Sequence, residues 1–179
     1  HGCIYCFARP THSYLNLSPG IDFETRIVAK TNAAERLREA FARRGYAPRL
    51  LNLGSATDAY QPVERRLRIT RRLIEVLFEC GHAFSLVTKS SGVERDLDLI
   101  GPMAARRLAA VYVSITTLDG ALARILEPRA ASPERTARRA AAPSSRRADR
   151  ERRGSFVGRR RARDQHLRRA ERRRRLGRR

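Results

Sequence analysis

Ala110-Val111-Tyr112-Val113-Ser114-Ile115-Thr116 is β-branched and apolar along most of its length, as expected of a strand covered on both faces. It decides the fold because it is the third run of its kind, and each is followed by a helical pattern. Upstream, Phe84-Ser85-Leu86-Val87-Thr88 reads as a second strand and Arg49-Leu50-Leu51-Asn52-Leu53-Gly54 as a first. Between these two lies the clearest helix. Pro62 stands at its start, Val63, Leu67, Thr70, Ile74, Leu77 and Phe78 form one face, and Cys80-Gly81 closes it. Arg65, Arg66, Arg68, Arg71 and Arg72 fall on its other faces and read as a solvated surface.

The remaining helical patterns complete the alternation. Residues 33–42 are strong helix formers that stop near Gly45, residues 93–107 are helical with an interruption at Gly101-Pro102, and a short helix covers 119–126. Strand and helix alternate with a spacing of about 30 residues, the size of a βα repeat with right-handed crossovers. The sequence therefore predicts an α/β fold with a parallel sheet built from three βα units. Three units are half of a (β/α) barrel at most.

Charge divides the chain at the end of this pattern. The 179 residues carry a net charge of +21. Residues 1–127 contain 18 Lys and Arg against 13 Asp and Glu, a net of +5, whereas residues 128–179 contain 21 against 5, a net of +16. The first segment has the balance of an ordinary enzyme domain. The second has one Phe, no Tyr, no Lys and a single Val, too little apolar surface to offset the entropy of ordering it, and is expected to be disordered. No apolar run approaches the roughly 18 to 20 residues of a membrane span, and no charged start leads into an apolar stretch, so a cytoplasmic protein with no membrane partner is expected.

The sharpest local feature is His1-Gly2-Cys3-Ile4-Tyr5-Cys6-Phe7-Ala8-Arg9-Pro10. Two thiols three positions apart can hold one metal ion or two irons of a cluster, with at least one further ligand required. Half of a structural zinc site and a dithiol redox pair are the plainer readings. His12, His82 and His166 are scattered and make no second pair at matching spacing, and Cys3-Ile4-Tyr5-Cys6 is not embedded in a βαβ unit as a thioredoxin-like motif is. Cys80 sits at a helix end and reads as a buried or half-buried free thiol. His12 reads as a loop hydrogen-bonding residue or a neighbour of a cluster. Lys89 reads as an exposed lysine or as the partner of a carboxylate or phosphate.

The stretch from Gly2 to Tyr14, Gly-Cys-Ile-Tyr-Cys-Phe-Ala-Arg-Pro-Thr-His-Ser-Tyr, resembles the cluster-binding loop of radical S-adenosylmethionine enzymes, in the subgroup similar to spore photoproduct lyase and described as DNA repair photolyase-like. The loop of that superfamily is Cys-x-x-x-Cys-x-aromatic-Cys, and Cys3, Tyr5 and Cys6 match its last three marks. Further stretches are in the subgroup's order: Asp22-Phe23-Glu24-Thr25-Arg26-Ile27, Gly54-Ser55-Ala56-Thr57-Asp58-Ala59-Tyr60-Gln61-Pro62-Val63-Glu64-Arg65, Val87-Thr88-Lys89-Ser90 and Val113-Ser114-Ile115-Thr116-Thr117-Leu118-Asp119. Ala59 departs from the subgroup's usual Pro, which implies a looser turn.

The resemblance implies a partial radical S-adenosylmethionine barrel in residues 1–127, with Cys3 and Cys6 as two of three ligands of a 4Fe-4S cluster. It implies that the cluster's open iron takes S-adenosyl-L-methionine and cleaves it to a 5′-deoxyadenosyl radical, the cofactor carrying the chemistry and the protein positioning it. Tyr5, Gly54, Thr57 and Asp58 are then cofactor-binding residues, the last three at the methionine end, and the Ser114 and Thr116 hydroxyls serve its ribose or carboxylate. A lyase acting on damaged pyrimidines in DNA and a reductant such as a flavodoxin or ferredoxin follow by the same resemblance. The loop's first cysteine would lie two positions before His1, so the chain is expected to start just after a ligand and to be inactive as it stands.

Two readings compete for residues 128–179. An arginine-rich arm would contact phosphates with salt-sensitive, sequence-independent affinity, which makes the whole chain a basic nucleic-acid-binding protein with a metal-stabilised Cys-x-x-Cys loop. Against it, the tail has no aromatic interleaving and no helical stripe, and 37 Arg to 2 Lys over the chain indicates GC-rich DNA. A wrong reading frame of such DNA yields mainly Arg, Ala, Pro, Gly and Ser. The favoured expectation is a frameshift near Arg135.

Overall fold

The structure, a computed structural model, describes residues 2–140. Three strands, β1 (Leu51–Leu53), β2 (Phe84–Thr88) and β3 (Ala109–Val113), form a parallel sheet in the order β1-β2-β3. Leu51 stands beside Phe84, and Phe84 beside Ala109. Parallel neighbours in chain order require a crossover between each pair, and helices supply both. The predicted α/β class and its three parallel strands are thus present.

Seven α-helices accompany the sheet among the described residues: α1 (Asp22–Thr25), α2 (Ala33–Ala42), α3 (Glu64–Leu67), α4 (Ile69–Cys80), α5 (Leu97–Ala105), α6 (Gly120–Leu126) and α7 (Pro133–Ala140). The core forms where α4 and α5 lie on the sheet. Ile74 and Leu77 of α4, Ile100 and Met103 of α5, and Phe84 and Leu86 of β2 meet Tyr60 and Val93 there. Each helix contributes residues three apart and the strand residues two apart, the periods of one helix face and one strand face. No helix among the described residues is long and apolar enough to cross a membrane.

Several sequence expectations are corrected. The helix expected to run unbroken from Pro62 is two helices, broken at Arg68, whose φ of 50° is left-handed. A buried carboxylate makes the break tolerable. Glu64 turns forward and accepts the backbone N–H groups of Ile69 and Thr70, both at 2.9 Å, so it caps α4 from the preceding helix. The arginines of this segment are not uniformly solvated either: Arg71 bonds Glu75, Asp96 and Asp98. Gly101-Pro102 does not interrupt α5, which runs through it. The irregular part lies earlier, where Ser91–Asp96 forms a 3-10 helix with the Ser90 hydroxyl as its cap.

Cover on both faces holds for β2 and fails for β3, where Ala110 and Tyr112 are exposed. Cys80 is exposed, not buried. The tail was expected to lose order from Pro128, yet α7 forms inside it. The Ser132 hydroxyl accepts the Arg135 N–H at 3.3 Å, Pro133 takes the first helical position, and Thr136 is buried. Residues 141–179, the bulk of the arginine-rich segment, lie outside the described residues.

Candidate functional site

The C-terminal ends of the three strands open on one side of the sheet. In parallel α/β folds this is where ligands bind, because the loops there diverge over exposed strand ends. A cleft of about 990 Å³ lies at this side. Its lining includes Gly54 to Asp58 after β1, Val87 to Lys89 at the end of β2, and Ser114 after β3. The N-terminal loop lines the same cleft, with Cys3, Tyr5, Cys6 and Phe7. Of the predicted site residues, Cys3, Tyr5, Cys6, Gly54, Thr57, Asp58 and Ser114 line this single space. Thr116 lies beside it, with its hydroxyl 2.9 Å from the Tyr5 hydroxyl.

The cysteine loop is a series of tight turns. Cys6 N–H donates to Cys3 O at 3.2 Å, and Arg9 N–H to Cys6 O at 3.2 Å. The Arg9 guanidinium returns to Cys3 O, reaches the carbonyls of Pro19 and Gly20, and pairs with Glu24 at 2.6 Å. Arg9 lies on the 3-10 helix Arg9–Leu15 and fixes the loop from that side. His12 takes the hydrogen-bonding role, 3.1 Å from Arg26 O with its ring against Phe23.

Cys3 is buried and Cys6 half-buried, and both are free thiols. Burial raises the Cys3 thiol above its ordinary value, and the nearby Glu127 carboxylate adds to the rise. Two thiols on one turn at a cleft wall are the donor type of iron–sulfur and zinc sites, so these residues fit two corners of such a group. Among the described residues no three His, Cys, Asp or Glu converge on one point, so a third ligand is not supplied there.

The strand-end loops have structural reasons of their own. Gly54 has φ +88°, and a Cβ there would stand 2.4 Å from Val87 O, so only glycine lets this loop cross the end of β2. The Asp58 carboxylate accepts Tyr60 N–H at 2.8 Å, the Thr88 hydroxyl at 2.7 Å and Lys89 N–H at 2.7 Å. It thereby ties the first strand-end loop to the second. Tyr60 is anchored in turn, its hydroxyl donating to the fully buried Asp96 at 2.8 Å, and both burial and that carboxylate push the phenol far above its ordinary value.

Two of the most similar relatives, uncharacterized proteins of Mycobacterium tuberculosis and Mycobacterium bovis, are each 40% identical to this chain over 134 residues, 75% of it. An uncharacterized protein of Methanocaldococcus jannaschii is 25% identical over 135 residues. The chain spans 39% of the length of the mycobacterial relatives and 48% of the archaeal one. No family model and no solved structure matches it.

One residue central to the site escaped the sequence reading. Glu127 marked only the boundary between the domain and its tail, yet its side chain is 8% exposed and pairs with Lys89 at 2.7 Å. The Tyr5 and Thr116 hydroxyls also donate to it. Lys89 further donates to Ser114 and Thr116 at 3.0 and 2.9 Å, so the carboxylate reading of its partner is the observed one. Burial raises the Glu127 carboxyl above its ordinary value, and the ammonium at 2.7 Å opposes that rise. Three donors, the Lys89 ammonium and the Tyr5 and Thr116 hydroxyls, converge on it. A signal was present in the sequence: an acidic residue ending a helix opposes the helix dipole, and one held there requires a partner.

Proposed function

We propose that the chain is part of a radical S-adenosylmethionine enzyme of the subgroup similar to spore photoproduct lyase, its three βα units belonging to a (β/α) barrel. One observation carries this reading. Cys3, Tyr5 and Cys6 line one cleft together with the C-terminal ends of three consecutive parallel strands, as a cofactor held by thiolates and by strand ends requires.

Cys3 and Cys6 would hold two irons of a 4Fe-4S cluster. When bound, the cluster supplies the electron that cleaves S-adenosylmethionine to a 5′-deoxyadenosyl radical. The chain's own residues bind and orient. Gly54 lets backbone approach the methionine end, with Thr57 and Asp58 in the same loop. Ser114 and Thr116 offer hydroxyls to a ribose or carboxylate, and Phe7, Phe23 and Val28 give the cleft lining apolar surface. A damaged pyrimidine in DNA is the substrate class this subgroup suggests, with a flavodoxin or ferredoxin as reductant in the cytoplasm.

The test is anaerobic reconstitution with ferrous iron and sulfide of the chain carrying Cys-Ala ahead of His1, which supplies a cysteine four residues before Cys3. About four irons and four sulfides per chain are expected, with loss of the visible sulfide-to-iron absorption in Cys3→Ala and Cys6→Ala. Reductant should then convert S-adenosylmethionine to 5′-deoxyadenosine. Uptake of zinc with no labile sulfide would overturn the reading.

A further inference from the structure

We infer that Glu127, with its neighbour Leu126, is a clasp that positions the cysteine loop over the strand ends. Ile4 and Tyr5 are the two residues between Cys3 and Cys6, and both are held by the end of α6. Ile4 N–H donates to Leu126 O at 3.1 Å, and the Tyr5 hydroxyl donates to Glu127. These bonds close chain separations above 120 residues, so they set the place of the loop against the sheet and not its internal turn. Glu127 is itself fixed from the sheet side, by Lys89 after β2 and by Thr116 after β3. One carboxylate therefore joins the cysteine loop, two strand ends and α6.

The arrangement is costly for a merely structural residue. A carboxylate that is 8% exposed at the negative end of a helix is stable only with charged and hydrogen-bonding partners. A second line of contacts runs beside it: Arg129 pairs with Glu24 at 3.4 Å, Glu24 with Arg9 at 2.6 Å, and Arg9 donates to Cys3 O. Residues 126–129 thus reach the dithiol turn by two routes. Glu127 acts through Tyr5 on where the thiols stand, which makes it a positioning residue and not a ligand.

The functional meaning of the clasp rests on the proposal that Cys3 and Cys6 hold a metal group, but its test does not need that group. Hydrogen exchange of the metal-free full chain is followed by mass spectrometry in residues 2–9 and in β2. Tyr5→Phe is expected to speed exchange in 2–9 by about tenfold while β2 is unchanged, the factor for losing one hydrogen bond, and Glu127→Gln, which keeps a carbonyl acceptor for Tyr5, should speed it by less. Tyr5→Phe leaves the Glu127 side chain and its Lys89 partner in place, so it separates loop release from any effect of Glu127 on Cys3. In Tyr5→Phe the affinity of the dithiol for Cd²⁺, used as a bare-metal probe, should fall about tenfold. Asp98→Asn, remote from the loop, should change neither readout. Unchanged exchange in 2–9, acceleration of β2 in parallel, or unaltered Cd²⁺ affinity in Tyr5→Phe overturns the clasp. Failure to assemble a cluster would sink the iron–sulfur reading and leave these exchange rates as they are.

Discussion

The Thr88 hydroxyl donates to the Asp58 carboxylate at 2.7 Å, joining the loop after β1 to the end of β2 across the floor of the cleft. Thr88 is 1% exposed, so its hydroxyl has no water to turn to. The same hydroxyl accepts Ser90 N–H at 3.0 Å, and Asp58 also holds Tyr60 and Lys89 through their backbone N–H groups.

Asp58→Ala removes an acceptor shared by three donors and should cost about 3 kcal/mol, against about 1–2 kcal/mol for Thr88→Val. Urea midpoints of the two variants and of the double variant measure this. The double variant should cost less than the sum, because the pair is coupled. Additive losses would mean the bond contributes nothing of its own.

Two glycines separate backbone strain from steric clash. Gly45 has φ +83° with no atom within 4 Å of an added Cβ, whereas Gly54 at +88° would bring Cβ to 2.4 Å from a carbonyl of β2. Gly45→Ala should cost about 1 kcal/mol, the left-handed term alone. Gly54→Ala should cost well over about 3 kcal/mol or prevent folding, because backbone must move apart at the sheet. Equal thermal shifts would refute the close approach.

Acid should destabilise the fold through particular carboxylates. The hydrogen bond from Arg71 holds Asp98 below its ordinary value, and the backbone N–H groups of Leu122 and Ala121 do the same for Asp119. A carboxyl lowered in the folded state adds stability above its unfolded value of about 4, lost as pH falls through the folded value. Asp98→Asn should therefore narrow the difference in urea midpoint between neutral pH and about pH 3. Asp119→Asn retains an acceptor for the cap and should narrow it while keeping most of the neutral-pH stability. An unchanged acid limb in both variants would show that other groups govern it.

Among the described residues no strand pairs with the outer edge of β3, and Tyr112 on that strand is 60% exposed. Leu118 and Ile125 nearby in sequence are 75% and 66% exposed. An open edge with apolar side chains templates pairing between chains. Sedimentation velocity should show concentration-dependent association, and Tyr112→Lys should reduce it by charging the edge. A monodisperse monomer at high concentration would contradict the expectation.

The parts of the fold that were legible in the sequence are those where local pattern and tertiary demand agree. Four of the five residues of β2 are β-branched or apolar and all but the half-buried Val87 are buried, and α2 occupies 33–42 because Ala, Glu, Arg and Leu favour a helix whatever surrounds them. Asp119 was read as a helix start and caps α6 with its side chain. The break at Arg68 was not legible. It depends on Glu64 being buried beside Arg95, which pairs with it at 3.1 Å from 31 residues away.

The site divides in the same way. Cys3, Cys6, Gly54 and Asp58 were singled out by residue type and short-range spacing, because thiols close in sequence and glycine-led strand ends carry their chemistry locally. Sequence alone determined the α/β alternation, the dithiol and the charge step near residue 127. Only the tertiary structure decided that the dithiol and the strand ends line one cleft, and that residues at the charge step reach the dithiol loop. Arg129 lines the cleft, and Leu126 and Glu127 hold Ile4 and Tyr5 of the loop beside it. The reason is physical: a buried carboxylate is stable only where donors from distant segments converge on it, and that convergence belongs to no stretch of sequence.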